Sequence, residues 1–289
     1  MRVTGFTFIK NALIYDYPIV EAIKSILPLC DEIIVAVGNS TDETLELIKS
    51  IDQKIKIIET IWDENLREGG KVLAVETDKA FAEISKDTDW AFYIQGDEVL
   101  HERYIETIQN EMLKYKDNPK VEGLLFHYKH FYGSYDYVGS ASNWYKNEIR
   151  VLKYNPEIFS FRDAQGFRKK PDNMLRVKQI DACIYHYGWV KPPEKMQKKQ
   201  ETFHKLWHKD DWLEKNIDKA VEFDYLANIA QLELFTETHP AVMENRIKAK
   251  NWKFDYDISF NKSTLKDKFK AFCKKYLGMD FNYKNYIKI

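Results

Sequence analysis

The chain has 289 residues, 44% of them hydrophobic, enough to fill the core of one large domain or of one domain with a sizeable appendage. Its 44 basic and 45 acidic residues leave a formal charge of -1, which excludes a global field that recruits nucleic acid. Cys30, Cys183 and Cys273 lie far apart and in no metal-ligand spacing, which argues against a disulfide framework. The opening "MRVTGFTFIKNALIY" lacks the long apolar core of a signal peptide, and no apolar run reaches bilayer-spanning length, so the chain reads as cytoplasmic.

In chain order, short apolar runs alternate with helical patterns: "VTGFTFI", "PIVEAIKSIL", "EIIVAVG", "TDETLELIKSI", "KIKIIET", a helix around "GGKVLAVETDKAFAEI", and "WAFYIQ". Strand and helix in alternation imply a parallel sheet with its ligand-binding loops at the carboxyl edge. Ser40 and Glu43 have capping-box spacing, and Pro18 stands early in a helix, where its missing amide costs little. A helix is predicted near 103–116. Strands follow in "VEGLLFHYKHFYG", "NEIRVLKY", "IFSFRD" and "MLRVKQIDACIYHYG". From 193 onward the pattern is mostly helical and charged, ending in "TLKDKFKAFCKKYLG", whose Leu265, Phe269, Phe272 and Tyr276 share a face. The expected division is a nucleotide-fold half over 1–100 and a mixed-sheet half over 101–190, together one domain, then a helical extension over 191–289.

The join "FYIQGDEVL" is the first candidate site. A carboxylate at the end of a buried strand, Asp97, can hold Mg2+ or Mn2+ while a phosphate completes the coordination, or it can cap the next helix. "NLREGGKV" offers Arg67 and Lys71 ahead of a helix, either as a phosphate site or as helix-start decoration. Glu201, His204 and His208 have zinc-like spacing but no further ligand in view, and read as a solvated helix face. The basic C-terminal segment reads as docked on the protein's own core in preference to an anionic membrane.

Three stretches together resemble glycosyltransferase family 2, nucleotide-sugar-dependent enzymes of the GT-A fold. "EIIVAVGNSTDET" resembles the family's second-strand motif, "FYIQGDEVL" its metal-binding segment, and "CIYHYGWVKPPEKM" a late histidine turn of the branch that includes lipopolysaccharide-core transferases. The resemblance covers about the first 190 residues. It implies a Rossmann-like mixed sheet flanked by helices, a 1–190 transferase domain with a nucleotide-binding half (1–100) and an acceptor half (101–190), and inverting transfer from a nucleotide-diphosphate sugar to a glycan or glycolipid of surface polysaccharide assembly. The implied cofactor is Mn2+ or Mg2+, held by Asp97 and His186. Asn11, Asn39, Asp42, Gln95 and Asp97 are implied at the donor, where Lys71 also stands as a candidate, and Asp163 as general base, with a salt bridge to Arg162 or Arg168 as its alternative reading. Trp144, Arg150 and Trp189, with His127 and His130 of "HYKHFYG", are candidates for an acceptor cleft, with packing or surface roles as the alternative.

The chain departs from the family at Val37 and Gly38, where paired aspartates normally meet uracil, and at Gln95, where the first metal-motif aspartate stands. The donor base is therefore left open, and a metal on one carboxylate is expected to arrive with the diphosphate. The rival readings are a sugar nucleotidyltransferase, for which "FIKNALIYDYP" lacks a glycine-rich phosphate loop, and a non-catalytic nucleotide- or carbohydrate-binding relative.

Overall fold

The computed structural model describes residues 1–142, 144–208, 212, 220–229, 231–261, 276 and 284–289. Its first part follows the alternation read from the sequence: β1 (Val3–Ile9), α1 (Ile19–Ile26), β2 (Glu32–Gly38), α2 (Thr44–Lys49), β3 (Ile55–Thr60), α3 (Lys71–Ala82) and β4 (Trp90–Tyr93). These strands pair in parallel in the order β3-β2-β1-β4. Burial on both faces explains the arrangement. Ile33, Val35 and Val37 of β2 pack into the core with α1 and α2, whereas Ile34 and Ala36 pack into the core under α3. A strand apolar on both sides needs cover on both sides, which helical crossovers supply.

The chain continues through β5 (Glu98–Leu100), α4 (Ile105–Tyr115), β6 (Gly123–Tyr132), β7 (Tyr137–Gly139), β8 (Asn147–Lys153), β9 (Ile158–Phe161), β10 (Gly166–Lys169) and β11 (Asn173–Trp189). β8 lies antiparallel between β4 and β6 and converts the parallel half into a mixed sheet. β11 runs parallel to β6 and antiparallel to β10, so the full path is β3-β2-β1-β4-β8-β6-β11-β10-β9. This is a Rossmann-like mixed sheet flanked by helices, as expected.

Beyond residue 190, α5 (Pro193–Lys205) and α6 (Glu244–Lys248) supply helices, while β12 (Leu232–Leu234) and β13 (Tyr286–Lys288) add short strands to β7 and β11. Arg246 of α6 pairs with Asp16 at 2.6 Å and Glu21 at 3.2 Å, and so ties this segment to the β1–α1 connection. The amphipathic run at 264–278, apart from Tyr276, lies outside the described residues, as does Cys273. No helix among the described residues is long and apolar enough to cross a membrane.

One local expectation needs correction. α2 begins at Thr44, and Ser40 and Glu43 form no capping box. Ser40 Oγ instead donates to Gly38 O at 3.1 Å, and Asp42 Oδ1 takes the Thr44 amide at 3.1 Å.

Candidate active site

Strand register assembles the site. Glu98 of β5 pairs with His186 of β11, and His186 pairs on its other side with His130 of β6. Asp97 therefore falls beside Tyr187, whose amide donates to the Asp97 carbonyl at 2.8 Å. Successive residues of an extended chain point to opposite sides, so the two acids part company. Glu98 faces the interior, where Arg150 donates to it through Nε at 2.8 Å and Nη2 at 2.5 Å and the Tyr128 hydroxyl adds a third bond. Asp97 lies past the end of β4, with Oδ2 3.2 Å from Lys199 Nζ and 3.6 Å from His186 Nε2. This corrects the expectation for Arg150: it is 0% exposed and its guanidinium is engaged with Glu98, Ile149 O and Gln165 O, so it presents nothing to an acceptor.

The cluster around Asp97 is strongly charged for so buried a place. Burial by itself would raise the Asp97 carboxyl, but Lys199 and then His186 hold it well below the usual carboxylate range. Lys191 is fully buried and donates to Asp16 O at 2.8 Å; burial, then repulsion from Lys199, holds its ammonium well below the usual lysine range. The Tyr17 ring lies 4.3 Å from the Lys191 ammonium and 5.1 Å from that of Lys199.

The histidine tautomers follow from their partners. The Tyr145 carbonyl only accepts, so His130 Nε2, 3.0 Å away, donates to it. Burial, then the neighbouring His186, holds His130 well below the usual range, so it is neutral and its Nδ1 is a lone pair. His186 Nδ1, 3.2 Å from that lone pair, is thus the donor. His186 Nε2 faces Asp97 Oδ2 at 3.6 Å and offers a lone pair to that side only when this nitrogen carries no proton.

Asp97 and His186 suit a divalent cation: a carboxylate oxygen and an imidazole nitrogen converge, the cation would take the place of any proton between them, and oxygens of a bound phosphate or water would supply the remaining ligands. Gly188 keeps the space between them open, since a Cβ there would lie 2.6 Å from both Asp97 Oδ2 and His186 Nε2. Among the described residues, no group of three or more His, Cys, Asp or Glu is gathered for a metal.

On the donor side, Asn11 and Asp42 bind loops to each other. Asn11, at φ +54°, accepts the Thr41 amide at 2.8 Å, and Asp42 Oδ2 accepts the Leu13 and Ile14 amides at 3.0 and 2.9 Å. Asn39 is exposed and accepts the Trp62 amide at 3.2 Å. Gly38 stands where the resemblance leads one to expect an aspartate, and a Cβ there would meet the Trp62 indole at 2.3 Å, so β2 could carry no side chain here without displacing Trp62. Lys71 is exposed and paired with Glu68 at 2.8 Å, and Arg67 Nε donates to Lys205 O at 2.8 Å, anchoring the end of α5.

Asp163 sits in a turn whose flanking residues, Arg162 and Ala164, have φ of +58° and +64°. Gln95 Nε2 donates to Ala164 O at 3.1 Å and so fastens this turn to the strand end that carries Asp97. Burial raises the Asp163 carboxyl above its usual range. Arg168, its alternative salt-bridge partner, is engaged with Asp172 at 2.8 Å and Asn285 at 2.7 Å. Nearby Glu148, buried and bonded to Gln165 at 3.0 Å, is pushed up to about 8 by burial.

Trp144 and Trp189 come together, ring centroids 6.2 Å apart, and Trp144 lies 4.7 Å from His130. His127 is exposed. Sequence reasoning missed Lys191, Lys199, Tyr17 and Gly188. Only Lys199 had a readable signal: with Met196 three residues before it and Phe203 four after, it shares the apolar face of α5.

No family model matches the chain, and no curated protein matches it. Among solved structures, it resembles S. aureus TarS 1-349 in complex with UDP-GlcNAc at 12% identity and TM-score 0.40, over 76% of this chain and 68% of that one. Against the longer S. aureus TarS structure it spans 41% of that chain, at 13% identity, 76% of its own length and TM-score 0.38. It also resembles glucosyl-3-phosphoglycerate synthase from Mycobacterium tuberculosis in complex with Mn2+, UDP and glucosyl-3-phosphoglycerate, at 20% identity and TM-score 0.29 over 45% of this chain and 44% of that one.

Proposed function

We propose that the protein is an inverting glycosyltransferase that moves a sugar from a nucleotide-diphosphate sugar to a hydroxyl of a glycan or glycolipid, assisted by Mn2+ or Mg2+. The observation that carries this reading is the ionised Asp97 at the carboxyl edge of the sheet, with His186 Nε2 3.6 Å away above a glycine that leaves the space between them open. Asp97 and His186 would hold the cation. When bound, it supplies charge neutralisation for the departing diphosphate. The loops stitched by Asn11, Asn39 and Asp42 would bracket the nucleoside.

In the transfer step the acceptor hydroxyl oxygen bonds to the anomeric carbon, the bond from that carbon to the diphosphate oxygen breaks, and its electron pair leaves on the diphosphate. Asp163 takes the hydroxyl proton; the raised carboxyl makes it the stronger base. Gln95 holds the turn that positions it. Trp144 and Trp189 offer flat apolar faces on which an acceptor sugar ring stacks. A single displacement inverts the anomeric centre. Proton NMR of the protein incubated with UDP-, GDP- and CDP-sugars, an oligosaccharide acceptor mixture and Mn2+ tests the proposal. Loss of donor with a new anomeric signal of opposite configuration is expected. Binding of a donor that is neither transferred nor hydrolysed would favour the non-catalytic reading.

A further inference from the structure

This inference rests on the reading of Asp97 and His186 as the cation-assisted donor site. Lys199 reaches that site from α5, outside the sheet, and is itself only 9% exposed. Its ammonium donates to Asp97 Oδ2 at 3.2 Å and to Gly188 O at 2.9 Å. The same Oδ2 is the oxygen 3.6 Å from His186 Nε2, and the same Gly188 is the residue whose missing Cβ keeps that space open. The lysine is thus seated on the oxygen that a cation would take. Lys191, fully buried nearby, donates to Asp16 O at 2.8 Å and adds a second basic group beside the same carboxylate. We propose that Lys199 is the resident counter-ion of the donor-free site, excluding a divalent cation from Asp97 until a diphosphate arrives to receive the ammonium.

The reasoning is electrostatic. Two cations on one buried carboxylate oxygen repel strongly, because little water screens them. A diphosphate brings enough negative charge for both the cation and Lys199, so the lysine passes from carboxylate to phosphate and the cation takes its place. Cation and nucleotide then each raise the other's affinity by the same factor. α5 packs its Phe203 beside α3, and Thr202 of the same helix takes the Tyr15 hydroxyl at 3.0 Å, so the helix that carries Lys199 is fixed to the β1–α1 connection.

The test is Mn2+ binding to the full chain without nucleotide, read by the electron paramagnetic resonance of free Mn2+, beside calorimetric binding of UDP, GDP and CDP without metal. Wild type is expected to bind Mn2+ weakly and at least one nucleoside diphosphate without metal. Lys199→Met is expected to bind Mn2+ at least about tenfold more tightly, the lower end of the effect of removing a like charge from a buried site. It is also expected to lose metal-free nucleotide affinity by a similar factor. Lys199→Arg keeps the charge and should behave as wild type, and Lys199→Gln provides the same comparison as the methionine variant with a polar head above Gly188 O. Unchanged Mn2+ affinity in the methionine and glutamine variants, with nucleotide-dependent Mn2+ binding intact in wild type, would overturn the counter-ion role alone. Absence of Mn2+ binding in every variant, with and without nucleotide, would overturn the reading of the site and this inference with it.

Discussion

Gly188→Ala adds one methyl group at the most constrained point of the site. Its Cβ would lie 2.6 Å from Asp97 Oδ2 and 2.6 Å from His186 Nε2, whereas ordinary contact begins at 3.4 Å. Gly188 is not among the residues at positive φ, so the backbone accepts alanine and the whole effect falls on these two side chains. Each must retreat by about 0.8 Å, the difference between those two distances. Misplacement near 1 Å at a positioned site costs about 10²-fold, while overpacking a core position costs about 1–3 kcal/mol. The variant should therefore fold, melt a few degrees lower, and lose roughly 10² in Mn2+-assisted nucleoside diphosphate affinity measured by calorimetry. Wild-type affinity in a variant that melts normally would refute the claim that the space over Gly188 holds the cation.

Arg150→Leu leaves Glu98 charged and uncompensated in the interior, and should destabilise the fold by about 3–5 kcal/mol in urea titration; unchanged stability with weakened acceptor binding would restore Arg150 to the acceptor. Glu148 is raised from its ordinary value of 4.5 to about 8, so the folded state keeps a proton that the unfolded chain releases. The resulting stabilisation is fully present below about 4.5 and is lost as pH rises through about 8, with a slope of up to about 1.4 kcal/mol per pH unit. Glu148→Gln should flatten that slope in urea titrations between pH 5 and 8, and an unaltered slope would contradict the assignment to Glu148. Asp163→Asn should melt normally and bind donor while transfer falls roughly 10²- to 10⁴-fold. An unchanged transfer rate would remove Asp163 from the mechanism, and a lowered melting temperature with activity tracking the folded fraction would make it structural.

The alternation of apolar runs and helical patterns was enough to place β1 through β4, because strands buried on both faces leave continuous apolar segments in the sequence. The juxtaposition of Asp97 with His186 was expected only from the family resemblance. Its physical cause, pairing of Glu98 with His186 across β5 and β11, joins segments 88 residues apart and leaves no local trace. Arg150 was placed at the acceptor, whereas the buried Glu98, 52 residues away in the chain, draws it inward and leaves no local trace in "NEIRVLKY". Lys199 was hidden by its setting: "EKMQKKQETFHK" reads as a solvated helix, and only the spacing of Met196, Lys199 and Phe203 marks the inward face. Gly188 leaves no signal, since what matters is the side chain it lacks.

The most direct test of the central claim is calorimetric binding of UDP, GDP and CDP to wild type and to Asp97→Ala, each with and without Mn2+. At least one nucleoside diphosphate is expected to bind wild type more tightly with Mn2+, and to stabilise it by roughly 2.7 kcal/mol at a hundred times its dissociation constant. The alanine variant should remain folded and lose the Mn2+ enhancement. An Asp97→Ala protein that keeps that enhancement in full, or a wild type that binds none of the three nucleotides under either condition, would contradict it.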